Sequence, residues 1–200
     1  MKLLITGSKG QLAKEIIKES EKREYEYAAF DHKALDITDL KKIREAVKNE
    51  KPDFVINCAA YNAVDKAEED WKTAYLVNGI GPENLAIACE ENNCALVHYS
   101  TDYVFDGQKH TPYTIADEPH PLSRYGRSKL LGENFVQSLS TRFFLIRVSW
   151  VFGVGNETNF AKKVLNWASK NETLKIVDDQ ISSPTYAIDL AKATLDLVRT

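Results

Sequence analysis

Short apolar runs alternate along the chain with longer stretches in which apolar residues recur every three or four positions. The short runs predict strands covered on both faces, as in a parallel sheet, and the longer stretches predict amphipathic helices. The predicted strands are residues 2–6, 25–30, 54–57, 95–99, 143–147 and 174–177. The predicted helices follow the turn at 7–10, begin at Thr38 or Asp39, cover 83–91, begin at Ser123, and cover 160–168 and 187–198.

One segment departs from this pattern. Residues 78–82 hold two glycines and a proline, so we expect them to break the helical stretch that precedes 83–91. The alternation of strands and helices predicts an α/β protein with a doubly wound parallel sheet and right-handed crossovers. In such a sheet a ligand binds at the carboxyl ends of the strands.

The first strand runs into a glycine turn and then a helix, which is the context of a dinucleotide-binding loop. Gly7 permits the tight turn, and Gly10 lets backbone amides approach a pyrophosphate at the start of the helix. Ala13 occupies the third position, where a small residue allows helix and strand to pack closely. A plain structural turn is the alternative for this segment alone.

Asp31 ends the second predicted strand, about 20 residues after the glycine turn, where a carboxylate can accept both hydroxyls of an adenosine ribose. The carboxylate would repel a 2′-phosphate, so we favour NADH over NADPH as cofactor. His32 and Lys33 follow and partly offset that repulsion. The alternative for Asp31 is a turn or helix-capping residue.

Other polar and small residues also fall at predicted strand ends: Ala59 and Ala60 after the third strand, Thr101 after the fourth, and Arg147 at the end of the fifth. Their coincidence predicts one site. We accordingly expect a dinucleotide-binding domain of Rossmann type in residues 1–150, and one more strand and helix of the sheet in residues 151–200. The resemblance described below implies that residues 151–200 also form a partial substrate lobe.

Tyr125 and Lys129 lie four residues apart on a predicted helix and therefore share one face. A free phenol has a pKa near 10, and a nearby ammonium favours its ionised form. Such a pair can give a proton to a carbonyl oxygen or remove one from a hydroxyl. In isolation the spacing is more typical of two unrelated surface residues.

Charge and cysteine content narrow the function classes. The net charge of −3 gives no basic surface for nucleic acid or an anionic membrane. The cysteines Cys58, Cys89 and Cys94 show neither metal-ligand spacing nor a paired set, which fits a reducing cytosol. No apolar run approaches the roughly 20 residues of a membrane span, and the chain starts directly with a strand. We expect a cytoplasmic protein without a bound metal.

Several longer motifs occur in a fixed order: NCAAYNAVD at 57–65 with Glu68, STDYVFDG at 100–107, YGRSK at 125–129, RVSW at 147–150, and DDQ at 178–180 with SPT at 183–185. Together they resemble the dTDP-4-dehydrorhamnose reductase family of the extended short-chain dehydrogenase/reductase superfamily. The resemblance covers essentially the whole chain. It departs from the family pattern at Ala13 and at Ser182 or Ser183, where the family usually has Gly, and members of the family continue beyond the equivalent of Thr200.

The resemblance implies a fold, an activity and roles for residues. The activity would be NAD(P)H-dependent reduction of the C4 keto group of dTDP-4-dehydro-L-rhamnose, a small-molecule nucleotide sugar, to dTDP-L-rhamnose. Tyr125 would be the proton donor, Lys129 would tune it and hold the nicotinamide ribose, and Thr101 would hydrogen-bond the same carbonyl. The remaining cofactor contacts would be Gly7, Gly10, Gln11 and Leu12 at the pyrophosphate, Asp31 at the ribose, Asp36 and Ile37 at the adenine, and Ala59, Ala60 and Tyr61 at the nicotinamide.

Asp102 and Trp150 would contact the sugar. The alternative for Trp150 is an aromatic residue of the core or of an interface. Two other functions stay open at this point. One is a non-catalytic relative of the same fold, such as the regulatory β subunit of methionine adenosyltransferase. The other is a reductase or epimerase that acts on a different nucleotide sugar. A homodimer is also left open.

Overall fold

The computed structural model describes residues 1–153 and 160–199. Five parallel strands form the main sheet: β1 (Lys2–Thr6), β2 (Glu26–Phe30), β3 (Phe54–Asn57), β4 (Ala95–Thr101) and β5 (Phe143–Val148). Their order is β2-β1-β3-β4-β5. The predicted doubly wound α/β class and its first five strands are therefore confirmed, and the strand order reverses between β1 and β3.

Seven α-helices connect the strands of the described residues: α1 (Gln11–Lys22), α2 (Leu40–Glu50), α3 (Trp71–Tyr75), α4 (Gly81–Glu91), α5 (Arg124–Leu139), α6 (Phe160–Ala168) and α7 (Ala187–Leu197). Two helices begin with a side-chain cap. Asp39 accepts a hydrogen bond from the Lys42 amide at 3.2 Å at the start of α2, and Ser123 accepts one from the Gly126 amide at 3.0 Å at the start of α5. Within the described ranges no helix is both long enough and apolar enough to cross the lipid bilayer.

The sheet buries both faces because alternate strand residues point to opposite sides. One face packs against α2, α4 and α5 through Leu4, Val55, Leu96, Ile43, Leu85 and Val136. The other packs against α1 and α7 through Leu3, Ile5, Ile56, Val97, Ile16 and Leu195. The helix α5, which carries Tyr125 and Lys129, is thereby fixed over β4 and β5.

The expected break at residues 78–82 is wrong. A π-helical turn, Leu76–Ile80, joins α3 directly to α4, so the chain stays helical from Trp71 to Glu91. Gly81 is needed for packing rather than for a break, since a Cβ at this position would come 2.4 Å from the Ile37 side chain. Pro82 lies in the first turn of α4 and, because it has no N–H, cannot donate a hydrogen bond to the helical turn that precedes it.

The predicted sixth strand at 174–177 is also wrong. An apolar run becomes a strand only where a neighbour takes up its backbone hydrogen bonds, and within the described residues no strand lies beside it. Ile176 and Val177 are 48% and 66% exposed. The second sheet instead consists of two short parallel strands, β6 (Val151–Phe152) and β7 (Thr185–Tyr186). The predicted last helix is confirmed as α7, and the domain boundary at residue 150 stays a prediction.

Candidate active site

The glycine turn lies where the strand order reverses, between β1 and β3. Gly7 has φ +65°, and a Cβ there would lie 2.7 Å from the Ala59 backbone nitrogen. Any side chain would therefore clash with the chain that leaves β3, and only glycine fits. The Gly10 amide donates to the Gly7 carbonyl at 2.8 Å and closes the turn.

The start of α1 is suited to bind an anion. Gly10 is its N-cap residue, and among the described residues no side chain caps the first turn. Its backbone N–H groups are thus available to a phosphate. The Gln11 side-chain Nε2 is buried and has no hydrogen-bonding partner among these residues. These observations fit a dinucleotide pyrophosphate held by residues 10–12.

Asp31 follows β2 and already has several partners. Its Oδ1 accepts hydrogen bonds from the Lys33 and Ala34 amides at 3.0 and 2.9 Å, and its Oδ2 pairs with Lys9 of the glycine turn. Lys9, and then the Ala34 amide, lower the pKa of the Asp31 carboxyl. The carboxylate therefore has both a turn-forming role and a position beside the glycine turn.

The residues expected at the adenine have structural partners too. Asp36 accepts hydrogen bonds from the Thr38 amide and hydroxyl, each at 2.9 Å. Ile37 is 4% exposed and packs against Gly81. A contact from Ile37 to a ligand would therefore come from its backbone, while the side chain belongs to the core.

The segment after β3 is joined to α5 by a residue that the sequence analysis did not select. Asn78, on the π-helical turn, accepts a hydrogen bond from the Tyr61 amide at 2.8 Å and donates to the Tyr61 carbonyl at 3.0 Å. It also donates to Ser128 Oγ at 3.0 Å, and this hydroxyl donates to the Tyr125 carbonyl at 2.7 Å. The expected nicotinamide segment, which includes Ala59 and Ala60, is thus fixed relative to the helix of Tyr125.

Tyr125 and Thr101 meet at the end of β4. They are 8% and 5% exposed, and burial raises the pKa of Tyr125 to about 12, while a hydrogen bond with Thr101 acts in the opposite direction. The Thr101 hydroxyl also donates to Asp102 Oδ1 at 3.0 Å. The phenol and the hydroxyl therefore lie in contact, with the phenol in its protonated form at neutral pH.

Lys129 is 3% exposed, and its Nζ donates to the Tyr99 carbonyl at 2.6 Å. Burial lowers the pKa of Lys129 to about 8, against a smaller raising effect from Glu133. From the four-residue spacing we expected this ammonium to favour the phenolate of Tyr125. In the structure the pKa of the phenol is raised instead, because burial dominates.

The expected sugar contacts lie beside this pair. Asp102 Oδ2 accepts a hydrogen bond from Ser182 at 3.1 Å, so the loop before β7 reaches the tip of β4. Trp150 has φ +47°, a conformation that non-glycine residues seldom adopt, and its carbonyl accepts from the Thr185 amide at 3.3 Å. Asp102 and Trp150 therefore both border the loop at 178–185.

A second pair that sequence reasoning left without a role is buried behind Lys129. Glu133, one turn further along α5, is fully buried and receives two hydrogen bonds from Arg147, at 3.0 and 2.6 Å. The four-residue spacing of Lys129 and Glu133 predicts that they share a helix face. The contact with Arg147 on β5 is visible only in the structure. The pair ties α5 to the end of the fifth strand.

Two surface clefts lie outside the glycine turn and the pair of Thr101 and Tyr125. One of about 240 Å³ is at the amino ends of the strands, between Pro52 and Arg142. The other, of about 420 Å³, lies between the loop at 115–119 and α5, and Glu133 and Arg147 line part of it. Neither contains the glycine turn, Tyr125 or Lys129. We place the site by its chemistry, at the carboxyl ends of the strands.

The whole chain, residues 1–200, matches the RmlD substrate binding domain family. A dTDP-4-dehydrorhamnose reductase of Aggregatibacter actinomycetemcomitans is 42% identical over 198 residues, which is 98% of this chain and 67% of that protein. Two crystal structures are similar over all of this chain and 70% of theirs. They are a dTDP-4-dehydrorhamnose reductase of Clostridium acetobutylicum, with 44% identity and a TM-score of 0.95, and one of Bacillus anthracis in complex with NADP, with 40% identity and a TM-score of 0.94.

This chain thus spans 67–70% of the length of these relatives. The match of the family profile extends over every residue, and the two similar crystal structures share its fold. The chain therefore belongs to the dTDP-4-dehydrorhamnose reductase (RmlD) family.

Proposed function

We propose that this protein reduces the C4 keto group of dTDP-4-dehydro-L-rhamnose to the hydroxyl of dTDP-L-rhamnose, with NADH or NADPH as reductant. The observation that carries the proposal is the buried pair of Thr101 and Tyr125 beside Lys129, at the strand ends that face the glycine turn. Membership of the reductase family supports the substrate.

Tyr125 is the proton donor in this reaction. Its pKa of about 12 keeps the phenol protonated at neutral pH, so a proton is available when negative charge develops on the substrate oxygen. The Thr101 hydroxyl lies in contact with the phenol, and it would donate a second hydrogen bond to the same oxygen by turning its one hydrogen away from Asp102. General acid catalysis of this kind contributes roughly 10²–10⁴-fold to the rate.

Lys129 supplies positive charge at the site. A pKa of about 8 leaves most of the amine protonated at pH 7, and its hydrogen bond to the Tyr99 carbonyl holds the ammonium in place. A fixed charge in a site shielded from water stabilises developing negative charge more strongly than it would in bulk solvent. We assign Lys129 a second contact, to the nicotinamide ribose.

The cofactor supplies the hydride when it is bound. Gly7 and Gly10, with Gln11 and Leu12, would hold its pyrophosphate at the start of α1. Asp31 would hold the adenosine ribose, with Asp36 and Ile37 near the adenine. Ala59, Ala60 and Tyr61 would line the nicotinamide, in the segment that Asn78 fixes.

Both NADH and NADPH fit the contacts around Asp31. The carboxylate disfavours a 2′-phosphate, but the paired Lys9 neutralises it and is itself able to bind a phosphate. The similar enzyme of Bacillus anthracis was crystallised with NADP. We therefore keep the preference for NADH as a prediction and expect NADPH to be accepted too.

The test is an assay with purified protein, dTDP-4-dehydro-L-rhamnose and either cofactor, followed by absorbance at the nicotinamide band. The proposal predicts that one reduced cofactor is consumed for each dTDP-L-rhamnose formed. An epimerase would convert the sugar without net consumption of cofactor. Absence of turnover, together with co-purification of a larger catalytic subunit, would favour the hypothesis that this protein is a non-catalytic relative of the family.

We propose that Asp102 and Trp150 contact the sugar of the substrate. A homodimer and a cytoplasmic location remain predictions of the reductase hypothesis. A binding titration with dTDP-L-rhamnose tests the sugar contacts separately. Because the chain spans about two thirds of its relatives, the titration also reports whether these 200 residues bind the nucleotide sugar.

A further inference from the structure

A row of polar side chains crosses the sheet beneath the catalytic helix. Thr6, Asn57 and His98 lie side by side on β1, β3 and β4. The Thr6 hydroxyl donates to Asn57 Oδ1 at 2.7 Å, and Asn57 Nδ2 lies 3.1 Å from His98 Nδ1. All three are at most 2% exposed, so each hydrogen bond is shielded from water.

This row fixes the proton of His98 on one ring nitrogen. The Ala59 backbone N–H can only donate, and it donates to Asn57 Oδ1 at 3.2 Å. The other side of the amide is therefore the NH₂ group, which must donate to His98 Nδ1. Because Nδ1 accepts, the neutral ring carries its hydrogen on Nε2. Burial, and then the charge of Lys129, lower the pKa of His98 and keep the ring neutral.

The Nε2–H group of His98 is buried and has no partner among the described residues, and the same holds for Ser100 Oγ. Residues 98 and 100 point to the same face of β4 because strand side chains alternate. That face packs against α5 through Leu96 and Val136. Lys129 reaches this place from α5, since its Nζ binds the carbonyl of Tyr99, between the two residues.

We propose that His98, Ser100 and Lys129 together bind one buried water molecule that holds the catalytic ammonium in place. The argument rests on the proposed function only for the role of Lys129. A histidine N–H and an ammonium are both donors and cannot hydrogen-bond to each other, so only a group that accepts from both can join them. Buried polar groups nearly always have such a partner, and a water with three polar neighbours meets the usual condition.

In this arrangement the water oxygen accepts one hydrogen bond from His98 Nε2 and one from Lys129 Nζ, and the water donates to Ser100 Oγ. Two of the three ammonium hydrogens are then held, one by the Tyr99 carbonyl and one by the water. Hydrogen bonds to the charged form favour that form. His98 is therefore a positioning residue that keeps Lys129 protonated and oriented, without touching the substrate.

The titration of Lys129 depends on every polar group that faces it. Glu133 and Tyr125 lie one turn away on α5, and His98 and Ser100 face it from β4. The charge of Glu133 is balanced by Arg147. The pKa of Tyr125 is about 12, so the phenol keeps its proton near pH 8. Loss of activity near pH 8 therefore reports Lys129 rather than the phenol.

Three variants separate positioning from general stability. His98→Leu removes both ring nitrogens, whereas His98→Gln keeps an acceptor for Asn57 and an N–H for the water. Thr194→Val is the matched control, because it removes a buried hydrogen bond, to Tyr99 Oη at 2.7 Å, on the opposite face of the sheet. The measurement is the pH dependence of kcat with saturating cofactor and sugar.

The proposal predicts that the alkaline limb of His98→Leu moves to lower pH by about one unit, a tenfold change in the protonation constant of Lys129. The alkaline limbs of His98→Gln and Thr194→Val should lie at the same pH as that of the parent protein. A limb of His98→Leu that coincides with the Thr194→Val control would overturn the proposal.

A second measurement needs neither folded variants nor enzyme activity. The ¹⁵N resonances of His98 in the parent protein should show the neutral Nε2–H form from pH 5 to 9, with a cross-peak from this hydrogen to a long-lived water. Titration of the ring within that range, or a hydrogen on Nδ1, would overturn the proposal even if the reductase assay succeeds. Conversely, failure of the reductase assay would leave this readout intact.

Discussion

The side-chain amide of Asn78 binds both backbone polar groups of Tyr61, with the Tyr61 amide 2.8 Å from its oxygen and the Tyr61 carbonyl 3.0 Å from its nitrogen. The same nitrogen lies 3.0 Å from Ser128 Oγ on the catalytic helix. One buried side chain on a π-helical turn thus sets the distance between the proposed nicotinamide segment and Tyr125. Such turns occur often at functional sites.

Asn78→Ala should lower kcat/KM by roughly 10²-fold, since small misplacements of reacting groups cost rate on this scale. The free energy of unfolding should also fall, because the Tyr61 amide and carbonyl lose their partners. Asn92→Ala is the control, because Asn92 caps the far end of the same helical stretch and its side chain donates to the Ala88 carbonyl. Equal kcat/KM in the two variants would show that Asn78 does not position the site.

Lys129→Met should abolish turnover and at the same time raise the free energy of unfolding by about 1–3 kcal/mol at pH 7. The pKa of Lys129 is about 8 in the folded protein and 10.5 as its ordinary value. Below pH 8 both states are protonated and the cost of burying the charge is complete. Between pH 8 and 10.5 the folded state loses its proton first, so the cost falls and then disappears.

Urea unfolding at pH 7 and pH 10 measures this effect. The stability gap between Lys129→Met and the parent protein should narrow at pH 10, whereas the exposed Lys41→Met should show no gap at either pH. A Lys129→Met protein that is less stable than the parent at pH 7 would mean that the ammonium is well compensated in its site.

Lys9→Ala should weaken the use of NADPH more than that of NADH, because Lys9 pairs with the carboxylate that repels the 2′-phosphate. Asp31→Asn should act in the opposite direction and raise the kcat/KM ratio of NADPH over NADH. Steady-state kinetics with both cofactors measures the two ratios. If both variants changed the ratio in the same direction, Asp31 would not contact the ribose.

Arg147→Ala should lower the free energy of unfolding by about 3–5 kcal/mol, since it leaves the fully buried Glu133 without its counter-charge. The exposed pair of Arg44 and Glu91 has the same two-bond geometry, with one contact at 2.8 Å. Arg44→Ala should therefore cost at most about 1 kcal/mol. If Arg147→Ala and Arg44→Ala lowered the free energy of unfolding equally in chemical denaturation, burial of Glu133 would not be the cause of the larger expected loss.

Local signals in the sequence were sufficient for the strands of the main sheet and for the turn at Gly7. Each of these depends on short-range chemistry: a run of apolar residues, or a position that only glycine can occupy. The caps Asp39 and Ser123 are predictable for the same reason, because a side chain bonds an amide three residues ahead. Tyr125 and Thr101 are brought together by the parallel sheet, which the alternation of elements predicts.

Long-range contacts were not predictable. Nothing near Asn78 in the sequence announces a bond to Tyr61, 17 residues earlier, and the glycines and proline around it suggested a break. The strand predicted at 174–177 failed because its apolar residues have no described neighbour to pair with. The raised pKa of Tyr125 depends on how deeply α5 is buried, which the four-residue spacing to Lys129 does not reveal.

Tyr125→Phe tests the central claim most directly, in single-turnover reactions with dTDP-4-dehydro-L-rhamnose and pre-bound NADH. Loss of the phenolic proton should slow NADH oxidation by roughly 10²–10⁴-fold, while the dissociation constant for NADH stays near that of the parent protein. Oxidation of NADH at the parent rate would contradict the account, because the proton would then come from a group other than Tyr125.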